Sequence, residues 1–306
     1  MKKLLNLQTI TLPCCTTSFI TKKVIHAVRA CLLLVLITIT NAFIPSSVAL
    51  ANSNEISVND QGADFTRVIP SKDLRSGSTF ISNDLKSIQS NDDLNPAFLW
   101  VLQGEALWSS VAGKSSPSCA SCHGESNQGM RGVSTHYPQI DKESGELINL
   151  EARINLCRVR HQNLDPLKLE SDQMLGITAY VALASRGLPM NIRVDDQNME
   201  HFLNGRSIYY KRLGQINLAC THCHEQNWGG KLRGETISQG HINDYPAYRL
   251  EWQRMGSLHR RLRACLSGVR AYMYPLGSKE LLDLELFLGW RSSDPKITVE
   301  TPGVRR

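Results

Sequence analysis

Two short strings, Cys119-Ala120-Ser121-Cys122-His123 and Cys220-Thr221-His222-Cys223-His224, decide the fold of this 306-residue chain. Each has the form Cys-x-x-Cys-His, the signature for covalent attachment of c-type haem. Two thiols bond to the porphyrin, and the adjacent imidazole binds the iron. A structural zinc site or a redox dithiol also uses Cys-x-x-Cys, but neither explains a histidine after both second cysteines. We therefore expect two covalently bound c-type haems, attached through Cys119, Cys122, Cys220 and Cys223 and ligated by His123 and His224.

The residues before each string also match, which indicates an internal duplication. Gly104 lies fifteen residues before Cys119, and Gly205 lies fifteen before Cys220. Downstream, the copies differ in length but keep one pairing, an arginine four residues before a further cysteine. These pairs are Arg153 with Cys157 and Arg261 with Cys265.

Apolar patterns predict a helix at each end of both copies. In the first copy, the residues near helical spacing are Phe98, Leu102, Trp108 and Val111. Asn95 can cap this helix and Pro96 suits its first position. We expect Trp108 and its counterpart Tyr209 to lie in the core. The apolar segments 174–183 and 281–288 predict a closing helix in each copy.

The chain start has the features of an export signal. Residues 1–51 contain no acidic side chain and five Lys or Arg, and they end in the small-x-small pattern Ala49-Leu50-Ala51. We expect cleavage near Ala51 and a periplasmic location. A retained membrane anchor is the alternative, but about 13 apolar residues are few for a bilayer span.

Together these patterns predict an all-α fold of two tandem cytochrome c-type domains. The expected divisions are 1–51 signal peptide, 52–95 polar arm, 96–190 first domain and 191–306 second domain. The arm is rich in Ser, Asn and Asp without periodicity, so we expect it to be long and irregular.

The charge of the chain argues against nucleic-acid binding. The whole chain has 34 basic and 28 acidic side chains, and five of the basic ones lie in residues 1–51. The remainder is nearly neutral, without the excess of Lys and Arg that phosphate binding needs. No segment after the signal has the apolar length of a membrane span.

Each copy has one cysteine beyond its haem string, Cys157 in the first and Cys265 in the second. Their matching positions favour the hypothesis that each is the distal axial ligand of its own haem. A Cys157–Cys265 disulfide is the alternative in an oxidising compartment. The competing distal ligands are Met130, Met190, Met255, Met273, His161, His241 and His259.

Basic residues surround Cys265 more densely than Cys157. The arginine cluster of the second copy comprises Arg254, Arg260, Arg261, Arg263 and Arg270, with His259 among them. Such a run is often a solvated helix face. Beside a haem-facing sulfur it would instead lower the pKa of the thiol and attract a small dianion. The first copy has a weaker version in Arg153, Arg158, Arg160 and His161.

With these features the chain resembles the SoxA family, the dihaem subunits of the SoxAX cytochromes of bacterial sulfur oxidation. The resemblance rests on the export signal, the two haem strings and the segment Arg261-Leu262-Arg263-Ala264-Cys265. It implies an L-cysteine S-thiosulfotransferase that couples thiosulfate to the carrier-arm cysteine of SoxY, in the SoxYZ complex, and passes two electrons to haem.

The resemblance also implies residue roles and partners. Cys265 would be the catalytic, persulfide-bearing residue and the distal ligand of the second haem. Arg261 would bind the substrate, and Cys157 would ligate the first haem. The implied partners are the monohaem cytochrome SoxX, in a heterodimer, and a soluble cytochrome c as electron acceptor.

Two other functions remain open from the residues alone. One is a dihaem electron carrier in which Cys157 and Cys265 have no covalent chemistry. The other is a dihaem oxidoreductase, such as a thiosulfate dehydrogenase that forms tetrathionate or a cytochrome peroxidase. The arginine and cysteine pair in both copies fits the SoxA family better than either.

Overall fold

The computed structural model describes residues 67–111 and 116–306. The described residues belong to one compact unit, Val58–Arg306. The expected signal peptide and its cleavage near Ala51 lie outside the described residues. Within the described part, none of the helices has the length and apolar character needed to cross a bilayer.

Helices form most of the regular structure. Within the described residues the α-helices are α1 Asn83–Ser90, α2 Phe98–Ser109, α3 Cys119–His123, α4 Ser126–Gly129, α5 Leu150–Gln162, α6 Asp172–Leu183, α7 Met199–Tyr210, α8 Cys220–His224, α9 Leu258–Gly268 and α10 Lys279–Ser292. Short 3-10 turns occur at Ser71–Asp73, Gly77–Phe80 and Val133–His136. The closing helices expected at 174–183 and 281–288 are present as α6 and α10.

Short strands make the fold helix-rich rather than all-α, which corrects the expectation from sequence. They are β1 Gln139–Ile140, β2 Leu147–Ile148, β3 Lys231–Leu232, β4 Glu235–Thr236, β5 Ala247–Arg249, β6 Arg254–Gly256 and β7 Gly303–Arg305. β1 pairs with β2 and β3 with β4, while β5 lies between β6 and β7. Each strand has two or three residues, too few for an alternating pattern to be visible in the sequence.

Two crossed helix pairs form the framework, α2 with α6 and α7 with α10. Glycine allows the close approach at both crossings. A Cβ on Gly104 would lie 2.1 Å from the Gly176 carbonyl oxygen, and one on Gly205 would lie 1.9 Å from that of Asp283. The two glycines that reveal the duplication in the sequence are therefore required by helix packing.

The buried face of α2 differs from the expected one. Trp108 and Tyr209 lie in the core as expected, at 4% and 0% exposure. Leu102 and Val111 are largely exposed, whereas Val101 is buried. The crossing at Gly104 places Val101 and Trp108 on the buried face of α2. The prediction that Leu102 lies on the same face as Trp108 was therefore wrong.

A hairpin followed by a helix occurs twice with the same register. In the first, Gln139 pairs with Ile148, and in the second, Ala247 pairs with Gly256. Each hairpin leads to a side-chain cap at the start of the next helix. Asn149 accepts from the Ala152 amide at the start of α5, and Ser257 accepts from the Arg260 amide at the start of α9.

Each hairpin packs against the helix pair of the other copy. Leu147, from β2, lies in a hydrophobic cluster with Phe202 and Leu284 of α7 and α10. Met255, from β6, lies in a second cluster with Val101 of α2 and, on α6, Leu175 and Ala179. The two apolar clusters are thus each assembled from both halves of the chain.

The described part of the arm, residues 67–95, packs along the last helix and the residues after it. Arg67 donates to the Trp290 carbonyl at 3.0 Å, and the Ser71 hydroxyl donates to Asp294 at 2.7 Å. The segment is not irregular throughout, because α1 forms with Ser82 as its cap. This corrects the expectation, since one capped turn suffices to start a helix that lacks an apolar stripe.

Candidate active site

The two Cys-x-x-Cys-His strings form the short helices α3 and α8. One helical turn brings both cysteines of a string to the same side, as thioether formation with one porphyrin requires. Cys119, Cys122, Cys220 and Cys223 are all free thiols. At the first string the Ser118 hydroxyl caps the helix by accepting from the Ser121 amide at 3.1 Å.

His224 is held in the orientation that an axial ligand needs. Its Nδ1 donates to the Ser238 carbonyl oxygen at 2.8 Å, which leaves Nε2 for the iron. Burial lowers the pKa of His224 to about 4, so the imidazole is neutral and able to ligate. The backbone of Gly240 packs on the ring, since a Cβ there would lie 3.0 Å from its Cγ. Sequence reasoning missed Ser238 and Gly240, which no motif marks.

His123 has a more open setting. The ring is exposed, and the Trp108 ring lies 5.7 Å away between centroids. Trp108 Nε1 donates to the Gly124 carbonyl oxygen at 2.9 Å, which fixes the end of α3 against α2. The expected core tryptophan therefore also positions His123, the histidine expected to bind the first haem.

Cys157 and Cys265 each lie beside the haem string of their own copy. Burial raises the pKa of Cys119, and the nearby Cys157 raises it further. Burial likewise raises the pKa of Cys223, with Cys265 as the second cause. All six described cysteines are free, so the alternative of a Cys157–Cys265 disulfide is wrong.

Several of the competing distal ligands have other partners. Met190 and Met255 are buried in the apolar clusters. The ring of His241 bonds to Ser292 and Gln239, and His259 Nε2 pairs with Glu285 at 2.9 Å. These contacts give all four residues a structural role.

A tyrosine precedes each arginine and cysteine pair, a signal that sequence reasoning missed. Tyr137 lies twenty residues before Cys157, and Tyr245 lies twenty before Cys265, each followed by proline. The hairpin, the capped helix, the arginine and the cysteine therefore match without a gap in the two copies. In the first copy Arg153 Nε donates to the Tyr137 hydroxyl at 3.1 Å.

Arg153, the arginine of the first copy, forms an ion pair with a buried carboxylate. Arg153 Nη2 lies 2.7 Å from Asp141 Oδ1, and Arg160 Nη2 lies 2.8 Å from Asp141 Oδ2. Asp141 is 1% exposed. The hydrogen bonds from Arg160, more than any other contact, hold the pKa of Asp141 well below its usual range. This internal ion pair uses the donors with which Arg153 could bind an external anion.

The arginine of the second copy lacks such a partner. In the gapless match, the position of Asp141 is occupied by Arg249. Within the described residues, the carboxylate that Arg261 approaches is Glu251, at 4.0 Å. Cys265 is the largest cause of a raised pKa of Arg261, so the guanidinium stays charged beside the sulfur. Its donors remain open to a ligand that reaches Cys265.

Most other members of the arginine cluster bind elsewhere. Arg254 donates to Asp172 at 2.9 Å. Arg260 lies over the Trp252 ring at 4.3 Å, and Arg263 donates to the Tyr274 carbonyl. The cluster is thus divided among several contacts, and Arg261 is the member whose pKa Cys265 raises.

The residues present fit two c-type haems. Each copy supplies two free thiols one turn apart, an adjacent histidine and a further half-buried free thiol close to the string. The bond from His224 to Ser238 is the orientation expected of a metal-bound imidazole. Four thiols and two histidines could hold the two haems, and Cys157 and Cys265 could each reach the distal side.

Comparisons with known proteins find close relatives of this chain. A sequence profile described as the cytochrome c domain of SoxA/TsdA matches residues 103–190. The L-cysteine S-thiosulfotransferase subunit SoxA of Pseudaminobacter salicylatoxidans is 35% identical over 232 residues, which covers 76% of this chain and 80% of that protein. The subunit of the same name from Rhodovulum sulfidophilum is 34% identical over 233 residues, 76% of this chain and 80% of that protein.

A solved structure matches over the same proportion of the chain. The crystal structure of SoxXA from P. pantotrophus superposes with a TM-score of 0.71 at 32% sequence identity. The match covers 76% of this chain and 86% of that one.

Proposed function

The chain belongs to the SoxA family of L-cysteine S-thiosulfotransferase subunits, since it is 35% identical to a member of which it covers 80%. On that premise we propose that it couples thiosulfate oxidatively to the carrier-arm cysteine of SoxY, in the SoxYZ complex. It carries covalently bound c-type haem, and it acts as the dihaem subunit of an enzyme whose second subunit is the cytochrome SoxX.

The observation that supports this function best is the pair of Arg261 and Cys265, which lie side by side in the second copy. Thiosulfate is a dianion, and the carrier thiolate is a second anion, so their encounter is repulsive unless a cation intervenes. Arg261 stays charged beside the Cys265 sulfur and is 4.0 Å from its nearest carboxylate partner. The planar guanidinium can hold sulfonate oxygens as it holds phosphate.

The reaction proceeds in two steps at Cys265. In the first, the Cys265 thiolate and the terminal sulfur of thiosulfate form an S–S bond, which gives an S-thiosulfonate adduct and releases two electrons. In the second, the carrier thiolate attacks the sulfane sulfur of the adduct, takes the –S–SO₃⁻ group and restores the Cys265 thiolate. Covalent catalysis thereby divides one coupling of two anions into two separate events.

Arg261 orients the sulfonate in both steps and reduces the repulsion between the anions. When bound, c-type haem would supply the oxidising capacity. Each iron accepts one electron, so the two electrons that the coupling releases would leave one at a time toward the soluble cytochrome. His224 and Cys265 would bind the iron of the haem attached through Cys220 and Cys223. His123 and Cys157 are assigned to the haem attached through Cys119 and Cys122.

The wider setting of the protein belongs to the same proposal. The mature chain begins after Ala51 and works in the periplasm, where a soluble cytochrome c accepts the electrons. Residues 52–95 form the arm, 96–190 the first cytochrome c domain and 191–306 the second, with the active site in the second. The matching register of the two hairpins supports this duplication.

The test is a carrier-dependent assay with the purified heterodimer of this chain and SoxX. With thiosulfate, reduced SoxYZ and an oxidised cytochrome c, we expect two electrons per carrier modified. Mass spectrometry should find one –S–SO₃⁻ group on the carrier cysteine. Tetrathionate formed at the same rate without the carrier would replace the proposal with a thiosulfate dehydrogenase. Electron transfer without any carrier adduct would leave only an electron carrier.

The ligand assignment has a test of its own. A thiolate ligand gives low-spin ferric signals distinct from those of His/Met haems, and it lowers the reduction potential. We expect His/thiolate electron paramagnetic resonance signals from both haems. His/Met signals at both would contradict the assignment of Cys157 and Cys265.

A further inference from the structure

A buried arginine beside the proposed active site has no part in the chemistry described above. The Arg249 side chain is 4% exposed and bonds to two carboxylates. Its Nε donates to Glu251 at 2.9 Å, and its Nη2 donates to Glu235 at 3.2 Å. The Trp252 ring lies 5.2 Å from the centre of the guanidinium. Because Arg249 is so buried, it can affect a substrate only through its neighbours.

Glu251 connects this buried arginine to Arg261. The same oxygen, Oε1, accepts from Arg249 at 2.9 Å and lies 4.0 Å from Arg261 Nη1. Glu235 also contributes to the raised pKa of Arg261. Glu251 thus lies between the two arginines, and Arg249 has the closer contact with it. A carboxylate held at 2.9 Å by one guanidinium is less available to the other.

The first copy shows the opposite arrangement at the matching position. There Asp141 stands where Arg249 stands in the second copy, and it contacts Arg153 at 2.7 Å. Arg153 and Arg261 occupy matching positions four residues before a cysteine. The acidic Asp141 in the first copy thus corresponds to the basic Arg249 in the second. Arg153 is neutralised by a carboxylate, whereas, within the described residues, Arg261 is not.

We propose that Arg249 is a positioning residue that holds Glu251 away from Arg261 and so keeps Arg261 open to the sulfonate of thiosulfate. The inference rests on the proposed role of Arg261 in substrate binding. Without Arg249, Glu251 gains freedom to pair with Arg261. It would then compete with the incoming dianion for the same donors.

The variant Arg249→Met tests this inference. Glu251 and Glu235 are 48% and 33% exposed, so water can solvate them when the buried cation is removed. We expect the Kd of thiosulfate for the holo heterodimer to rise about tenfold, measured by calorimetry without the carrier and with the haems reduced, so that the first coupling step cannot occur. KM for thiosulfate should rise in parallel, with kcat changed by less than about threefold.

Removal of the competing carboxylate separates positioning from a general structural effect. The double variant Arg249→Met/Glu251→Gln should bind thiosulfate within about threefold of wild type, because an amide cannot neutralise Arg261. Arg249→Lys keeps the charge near both carboxylates and should also stay within about threefold. An unchanged Kd in Arg249→Met would overturn the inference. So would a raised Kd that the Glu251→Gln change does not restore.

The binding measurement keeps this inference distinct from the proposed function. Failure of the wild-type heterodimer to modify the carrier, with thiosulfate binding intact and sensitive to Arg249, would remove the proposed reaction and leave the positioning role. Normal coupling together with a Kd that is insensitive to Arg249 would remove the positioning role alone.

Discussion

The two haem sites are built from the same parts, yet their arginines have different partners. Both have a tyrosine, a hairpin, a capped helix, an arginine and a cysteine in one unbroken match. Arg153 lies 2.7 Å from the buried Asp141, whereas Arg261 is 4.0 Å from the half-exposed Glu251. Two matching segments therefore keep an arginine four residues before a cysteine, while only the first of these arginines lies against a buried carboxylate. The difference supports the proposal that the chemistry takes place at the second site.

The largest expected effect comes from replacement by serine of Cys265 and Cys157, the two cysteines outside the haem strings. Cys265→Ser removes the nucleophile, so turnover should fall by on the order of 10³-fold or more. Cys157→Ser should alter the spectrum of the first haem and leave turnover within about threefold. Steady-state coupling assays check both, with haem content measured by pyridine haemochrome. Equal losses in the two variants would contradict the assignment of the chemistry to the second site.

The matched arginines give the next largest difference. Arg261→Ala removes an open cation from the reacting anions and should lower kcat/KM about 100-fold, with both haems still attached. Arg153→Ala is the control at the matching position, where the guanidinium is already neutralised, and turnover should change by less than about threefold. Normal activity in Arg261→Ala would remove the case for its role.

A third pair of matching positions concerns stability. Glu151 lies six residues before Cys157, and His259 lies six residues before Cys265. Both side chains line a cavity of about 70 Å³, together with Glu285. Burial raises the pKa of Glu151 to about 8. The nearby His259 lowers it, whereas Glu285 and Glu170 raise it. The native state thus holds a proton that the unfolded chain loses near pH 4.5.

Stability from this proton is present below pH 4.5 and is lost as pH rises toward 8. Glu151→Gln should flatten that decline and raise the free energy of unfolding at pH 8.5 by on the order of 3 kcal/mol. Denaturant unfolding at several pH values checks it, with the exposed Glu105→Gln as control. An unchanged pH profile in Glu151→Gln would show that this carboxyl is ionised in the native state.

The smallest effect is expected from the residue that neutralises the first arginine. The pKa of Asp141 is depressed in the folded state, so its contribution to stability is present above its unfolded value and is lost as pH falls through the folded one. Asp141→Asn should flatten the acid side of the melting profile and leave turnover unchanged. Asp172→Asn, which breaks an exposed pair with Arg254, is the control. A large loss of turnover in Asp141→Asn alone would show that the first site takes part in coupling.

The sequence predicts those parts of the site whose chemistry demands a fixed spacing. The haem strings and the arginine and cysteine pairs are of this kind, because thioether bonds and a shared helix face leave little freedom in position. Ser238 could not be predicted, since any residue offers a carbonyl oxygen to His224 and the loop alone brings it there. The charge reversal between Asp141 and Arg249 is visible in the sequence only after Tyr137 and Tyr245 are aligned.

The fold was predicted in its helices and missed in its strands. A helix of three turns shows its period in the sequence, and the crossing glycines mark where two helices meet. Strands of two or three residues show no period, so the hairpins and their packing partners could not be read. The helix phase at Leu102 was wrong because the close approach at Gly104, which sets the buried face, comes from the partner helix.

The exchange of hairpins between the two copies constrains how the nascent chain matures. The cluster around Val101 and Leu175 is completed by Met255, which is synthesised about 150 residues after Val101. Cys119 and Cys122 are therefore synthesised well before this cluster can close. A chain that stops before residue 247 would lack Tyr248 and Met255 and would leave the cluster exposed to proteases.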